Sequence, residues 1–298
     1  MAWFPPGRQM LALWMIEPFV LVRPDGPAVP ILISSPHSGT HYPASEERRL
    51  GIQRDDLATL SDGPVHELFL PAVQDGATLL YACWSRAWVD LNREPTELDD
   101  EAITGVPERY ARRRSLRVRS GLGVVPTRLG ERRIHQRRLD YGEVAGRIHA
   151  IHGPYHAAIE READRLAAWP GGMLLLDCHS MPGGPSGAGA VPDVALGDRF
   201  GRTCAGWIVT RAEQIFRDAG FTVGRNQPFA GGWITEHHGR PERNRHALQI
   251  ELRRALFLGE QGGGQACSRE RLQAVARKLV RVVGAELAAS ADLLDAAE

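Results

Sequence analysis

Short apolar runs alternate along this chain with amphipathic stretches, and that alternation restricts the fold more than any other feature. Brief apolar runs bounded by turn residues read as buried strands, and stretches with helical spacing as helices packed on them. Met173–Leu176 (MLLL) is the clearest central strand, ending at Asp177-Cys178-His179-Ser180. Ala28–Ser34 is a second buried strand, ending at Pro36-His37-Ser38-Gly39. Thr78–Cys83, Ala87–Leu91 and Ala247–Leu252 add three more. Helical spacing predicts helices over Asp62–Ala72, Thr203–Ala219 and Arg269–Ala289, and a longer one over Val144–Ala168, broken or kinked at Gly153-Pro154. The fold class is therefore α/β, a mixed central sheet flanked by helices. The basic segment Arg109–Gln136 reads as a surface excursion, and Pro182–Pro192 as a Gly/Pro-rich loop.

No internal repeat or composition break divides the chain, so residues 17–298 are expected to form one catalytic domain behind an extension at 1–16. Lys+Arg and Asp+Glu both number 36, so net charge gives no reason to expect nucleic acid or an acidic membrane as partner. Nothing is long and apolar enough to span a bilayer, and Met10–Ile16 lacks the marks of a signal peptide. The four cysteines form no CxxC pair, which favours a reducing, cytoplasmic setting over a disulfide framework. Oligomeric state is not legible.

Chemistry-bearing residues fall at or near the C-terminal ends of the predicted strands, the edge where open α/β sheets bind ligands. His37 sits on a turn set by Pro36 and Gly39, as a metal ligand or a core histidine. His179 follows Asp177 by two residues, so in an extended strand the two share a side, and Asp177 can orient a ligand or bind metal itself. Cys178 faces the other way, into packing. Asp62, just ahead of a helix, is the choice for an acidic ligand, against a helix-capping role. Two histidines, a carboxylate and an open position make a catalytic rather than a structural zinc site, and other divalent ions fit the same donors. Arg86, Asn92 and Arg93 can capture a carboxylate, since an arginine fork matches one bidentately. Asp90 reads as structural. Glu251, inside an apolar strand, is costly to bury unless paired or near a metal, which makes it the natural general base. Gly231-Gly232-Trp233-Ile234-Thr235 reads as a backbone-close loop over the pocket, with Trp233 and Thr235 toward substrate. Arg112–Arg114, Arg117 and Arg119 could guide an anionic substrate, with a solvated face as the plainer reading.

The strings ISSPHSGTHYP, SRAWVDLNREP, GPYHAAI, LLLDCHSMP, VPDVALGD and GGWITEHHGRPERNRHALQIELRRALF resemble, in order and spacing, the motifs of the N-formylglutamate amidohydrolase family. The likeness runs from roughly Glu17 to Leu258. It implies a zinc-carboxypeptidase-like (phosphorylase/hydrolase-like) fold of the eight-stranded type with zinc at its C-terminal edge. It also implies hydrolysis of N-formyl-L-glutamate or a similar N-acyl amino acid, a small carboxylate substrate, within histidine catabolism. Residue by residue, it implies His37, Asp62 and His179 as metal ligands and Asn92 and Arg93 as the carboxylate clamp. Arg86 would polarise the scissile carbonyl and Glu251 act as general base. Two positions depart from the pattern. Thr40 stands where aspartoacylase-like relatives place their acidic ligand, and Gly63 where a tryptophan is common in the family. The rivals are a zinc carboxypeptidase or cell-wall amidase, which would need a peptide groove, and a non-catalytic binder, which would need neither Glu251 nor Arg86.

Overall fold

The computed structural model describes residues 16–111, 115–183, 191–258 and 265–294. Seven strands form the main sheet among them: β1 (Phe19–Val22), β2 (Ile31–Ser35), β3 (Thr78–Ala82), β4 (Met173–Met181), β5 (Val194–Gly197), β6 (Val223–Arg225) and β7 (Arg245–Arg253). Their order across the sheet is β1-β3-β2-β4-β7-β5-β6. The four central strands β3, β2, β4 and β7 run parallel to their neighbours, while β1 on β3 and β5 on β7 are antiparallel. The sheet is mixed, as the sequence reading expected. It carries seven strands among the described residues, where the resemblance implied eight.

Alternation within the central strands assigns the faces. Leu174, Leu176 and Cys178 of β4 join Leu248, Ile250 and Leu252 of β7 in one buried cluster. Helices α1 (Val65–Phe69), α4 (Gly206–Asp218) and α6 (Gln265–Leu294) pack there. Met173 and Leu175, with Ala247, face a second cluster under α3 (Gly153–Leu166). Burying Leu176 completely removes its whole side chain from water. Leu176→Ala is therefore expected to lower the unfolding free energy by ~3 kcal/mol, read from denaturant midpoints, through lost burial plus a residual cavity.

Several expectations shift. β4 runs on through Asp177, His179 and Ser180 to Met181, so the polar residues stand inside the strand rather than beyond it. Ala87–Leu91 is not a strand. The Ser85 carbonyl accepts from the Trp88 and Val89 amides and Ser85 Oγ accepts from the Ala87 amide, so the segment turns upon itself. An apolar run buried on all sides looks the same to periodicity whether it is strand or coil. The basic stretch after Arg109 is no mere excursion: Val118, Val124, Val125 and Ile134 are buried, and the latter three close the second cluster. The long helix changes character just ahead of Gly153-Pro154 rather than breaking there. α2 (Tyr141–Arg147) passes through a π-helical turn, Ile148–His152, into α3. Residues 1–15 of the expected extension, Arg112–Arg114 and most of the Pro182–Pro192 loop lie outside the described residues.

Candidate active site

On the second face of the sheet, the apolar alternation of two adjacent strands gives way at the same level. Leu175 is followed two residues on by Asp177 and then His179, and Ala247 by Gln249 and then Glu251. The parallel register sets Gln249 beside Asp177 and Glu251 beside His179. This polar patch lies toward the C-terminal ends of β4 and β7. His37 joins it from the turn two residues beyond β2, whose departure demands Gly39, since a Cβ there would fall 2.2 Å from the Trp84 carbonyl oxygen. Asp62 arrives from the segment ahead of α1. The N-cap of that helix is Pro64, so the capping reading of Asp62 falls away.

Three donor atoms converge. His179 Nδ1 lies 2.8 Å from Asp62 Oδ2 and 3.1 Å from His37 Nδ1, and His37 Nδ1 lies 3.3 Å from Asp62 Oδ2. All three residues are buried. The outer nitrogen of each ring faces a further carboxylate. His37 Nε2 donates to Asp90 Oδ1 at 2.7 Å, and His179 Nε2 stands 3.0 Å from Asp177 Oδ1. A carboxylate behind an imidazole fixes its tautomer and turns the opposite nitrogen toward a metal. The donor set, two Nδ1 atoms and one carboxylate oxygen with outer-shell carboxylates, fits a divalent ion. Asp90, read from sequence as structural, thus stands directly behind one candidate ligand, and Asp177 lies at ion-pair distance behind the other.

Electrostatics in this cluster are governed by desolvation opposed by close charges. Burial pushes the Asp62 carboxyl up, but His37 and His179 overturn this and hold it well below the usual carboxylate range. Burial likewise raises Asp90, and Arg86, Arg93 and His37 together bring it far down. His179 is pulled down by burial, yet Asp177 and Asp62 raise it well above the ordinary imidazole value. An ion bound through His179 would need the electron pair that proton occupies, and its uptake would release the proton. Metal affinity is therefore expected to rise with pH, and isothermal titration at pH 6 and pH 8 in buffers of different ionisation enthalpy should show proton release and weaker binding at pH 6. Identical affinity and no proton release would exclude His179 as a ligand. For Glu251, burial dominates and pushes the carboxyl up to about 8, with Asp62 and Asp177 adding to the rise and His179 and Arg86 opposing it. A dication beside it would lower that value.

Comparisons with known proteins give the family. The family model for N-formylglutamate amidohydrolase matches residues 29–258. The chain belongs to the N-formylglutamate amidohydrolase family. An N-formylglutamate deformylase of Pseudomonas aeruginosa is 33% identical over 260 residues, covering 85% of this chain and 91% of that protein. A second, from Pseudomonas putida, is 32% identical over 240 residues, covering 78% and 83%. The crystal structure of N-formylglutamate amidohydrolase from Ralstonia eutropha JMP134 superposes with a TM-score of 0.82 at 31% identity, covering 90% of this chain and 99% of that one.

Within this family frame, the remaining sequence candidates fall into distinct surroundings. Arg86 Nε donates to Asp90 Oδ2 at 2.8 Å; burial lowers its pKa, but the charges of Asp90, Asp62 and Glu251 raise it overall, which places it beside the cluster. Arg93 is buried, donating from Nε to the Leu122 carbonyl at 3.0 Å and from Nη1 to the Asn92 carbonyl at 2.8 Å. Asn92 is occupied by the protein itself. Its Nδ2 lies 3.0 Å from His179 Nε2, and its Oδ1 accepts from the Ile234 amide at 2.8 Å. The glycines ahead of Trp233 serve this contact: a Cβ on Gly232 would fall 2.3 Å from Asn92 Nδ2. Thr235 is fully buried, its hydroxyl donating to the Gly232 carbonyl at 2.9 Å. Trp233 opens α5 (Trp233–His238) and stacks on His237 at 4.3 Å between ring centres. At Gly63 a side chain would run into Leu258. Arg254 escaped sequence reasoning. It reaches Asp62 Oδ1 at 3.4 Å and donates to Ser180 Oγ at 2.9 Å, and one of two adjacent arginines at a strand end gives no signal of such a contact.

Among the described residues, no helix is long and apolar enough to cross a membrane. Cys83, Cys178 and Cys204 are free thiols.

Proposed function

We propose that this chain is a zinc-dependent, cytoplasmic N-formyl-L-glutamate deformylase, hydrolysing its small carboxylate substrate to formate and L-glutamate within one catalytic domain, residues 17–298. The observation that carries this reading is the convergence of His37 Nδ1, His179 Nδ1 and an Asp62 oxygen beside Glu251, in a chain of this family. His37, Asp62 and His179 would hold the ion, and three protein ligands leave a position open for chemistry. When bound, zinc supplies Lewis-acid activation, lowering the pKa of water from 15.7 toward ~7.

The chain's own residues supply the rest. Glu251 accepts a proton from the attacking water and returns it to the leaving amine nitrogen, so one carboxylate serves both halves of the reaction. Arg86, its Nε anchored on Asp90, stabilises the oxyanion that forms at the acyl carbon, a contribution of roughly 3–4 kcal/mol for such a donor. Arg93 pairs with a substrate carboxylate and orients it. Asn92 acts at one remove, since its Nδ2 donates to Asp177 Oδ2 at 3.4 Å behind His179 and its Oδ1 accepts from the Ile234 amide in the first turn of α5. Thr235 secures the start of α5 from within by donating to the Gly232 carbonyl, and Trp233 walls the pocket.

Metal analysis by mass spectrometry, with a deformylase assay on N-formyl-L-glutamate before and after chelation, tests the proposal. The expected result is about one zinc per chain and chelator-sensitive release of glutamate. Zinc without turnover would redirect the substrate to other N-acyl amino acids. Neither metal nor activity after zinc is restored would overturn the reading.

A further inference from the structure

The segment Leu91-Asn92-Arg93 is buried and belongs to no strand or helix, so its backbone groups need partners from elsewhere. Its three consecutive carbonyls all accept from side chains. Leu91 O lies 2.9 Å from His156 Nε2, Asn92 O 2.8 Å from Arg93 Nη1, and Arg93 O 2.9 Å from His152 Nε2. A carbonyl only accepts, so both imidazoles carry their proton on Nε2. The two histidines are four residues apart, across the junction of the π-helical turn and α3, and that spacing sets them on one face with ring centres 4.3 Å apart.

Behind them the network continues. His156 Nδ1 lies 2.9 Å from His238 Nε2, and His238 Nδ1 lies 2.6 Å from Glu160 Oε1. Both rings also pack on Trp233, at 5.3 Å for His152 and 4.5 Å for His156. Burial holds both imidazoles below the ordinary histidine range, so they serve as neutral donors at neutral pH.

We propose that His152 and His156 are positioning residues for substrate-carboxylate capture, holding the Leu91–Arg93 backbone so that the Arg93 guanidinium meets the carboxylate. This inference rests on the reading of Arg93 as the clamp. The guanidinium is braced on the Asn92 carbonyl, so a shift of this backbone moves the fork itself. A bidentate arginine–carboxylate pair depends on the placement of the fork, so its displacement weakens substrate capture.

The test uses metal-loaded enzyme and the pair Gln and Asn at each histidine. Glutamine can return an N–H close to the position of Nε2, whereas asparagine falls short of it. His152→Asn and His156→Asn are expected to raise KM for N-formyl-L-glutamate about tenfold, with kcat and metal content little changed. His152→Gln and His156→Gln should stay within about threefold of the wild type. In an Arg93→Ala background, His152→Asn should add almost nothing, because the two act through one contact. In the wild type, the Nε2–H proton resonances of both histidines should shift when L-glutamate is added. If Arg93→Ala leaves KM unchanged, the clamp reading fails by itself. If Arg93→Ala raises KM but the asparagine variants do not, or they lower kcat and metal content instead, the positioning role is overturned. Absence of rescue by glutamine, or of any resonance shift, overturns it equally.

Discussion

Glu251→Gln is expected to lower kcat by roughly 10²–10⁴-fold while leaving the metal in place. The substitution keeps the shape and the Gln249 contact, in which Gln249 Nε2 donates to Glu251 Oε1 at 2.9 Å, and removes only the capacity to take a proton. Among the described residues, His37, Asp62 and His179 form one group of donor atoms close enough to share an ion, a group that does not include Glu251; Glu160, His237 and His238 form a second, away from Glu251 in the sequence. Metal stoichiometry by mass spectrometry and kcat on N-formyl-L-glutamate decide the matter together. Full metal with lost turnover supports the base. Loss of metal would make Glu251 a ligand, and retained turnover would move the base elsewhere. Because a base must be ionised to act, kcat/KM should also climb with pH through the Glu251 titration. That climb lies below the metal-free position near 8, since a bound cation lowers the carboxyl.

Asp62→Ala is expected to weaken metal binding by more than about 100-fold and to silence the enzyme unless metal is in large excess. One oxygen of Asp62 faces both histidines, at 2.8 Å and 3.3 Å, so its removal deletes a ligand and leaves two neutral imidazoles to hold a dication. The other oxygen meets Arg254 at 3.4 Å, and Arg254 keeps Ser180 at 2.9 Å in the variant. The fold should therefore survive, as far-ultraviolet circular dichroism would show. Competition against a chelator of known affinity measures the loss. Metal bound as tightly as in the wild type would remove Asp62 from the ligand set, whatever the effect on rate.

The central strands were legible because an apolar run flanked by turn residues has few other fates, and Leu174 to Leu176 and Leu248 to Leu252 took the expected places. The strand expected at Ala87–Leu91 failed for a physical reason. Trp88, Val89 and Leu91 are buried, but the Ser85 carbonyl and hydroxyl satisfy the local amides, and no apolar pattern encodes that choice. The partner of Asp90 was hidden for a related reason. The carboxylate reaches His37, 53 residues away in sequence, and nothing near Asp90 announces that partner.

The sequence by itself determined where the central strands run and which side of each strand their polar residues occupy. Alternation over single residues sets Asp177 and His179 on one face and Cys178 on the other wherever the strand lies. Only the tertiary structure decided which of these residues meet. Parallel pairing placed Glu251 beside His179, and the turn after β2 delivered His37 to Asp62. Loop packing turned Asn92 inward to the protein, and two histidines from a distant helix came to hold the backbone of the segment that carries Arg93. Such contacts depend on register and loop path, which are fixed by the sum of many weak packing energies across the chain rather than by any local pattern.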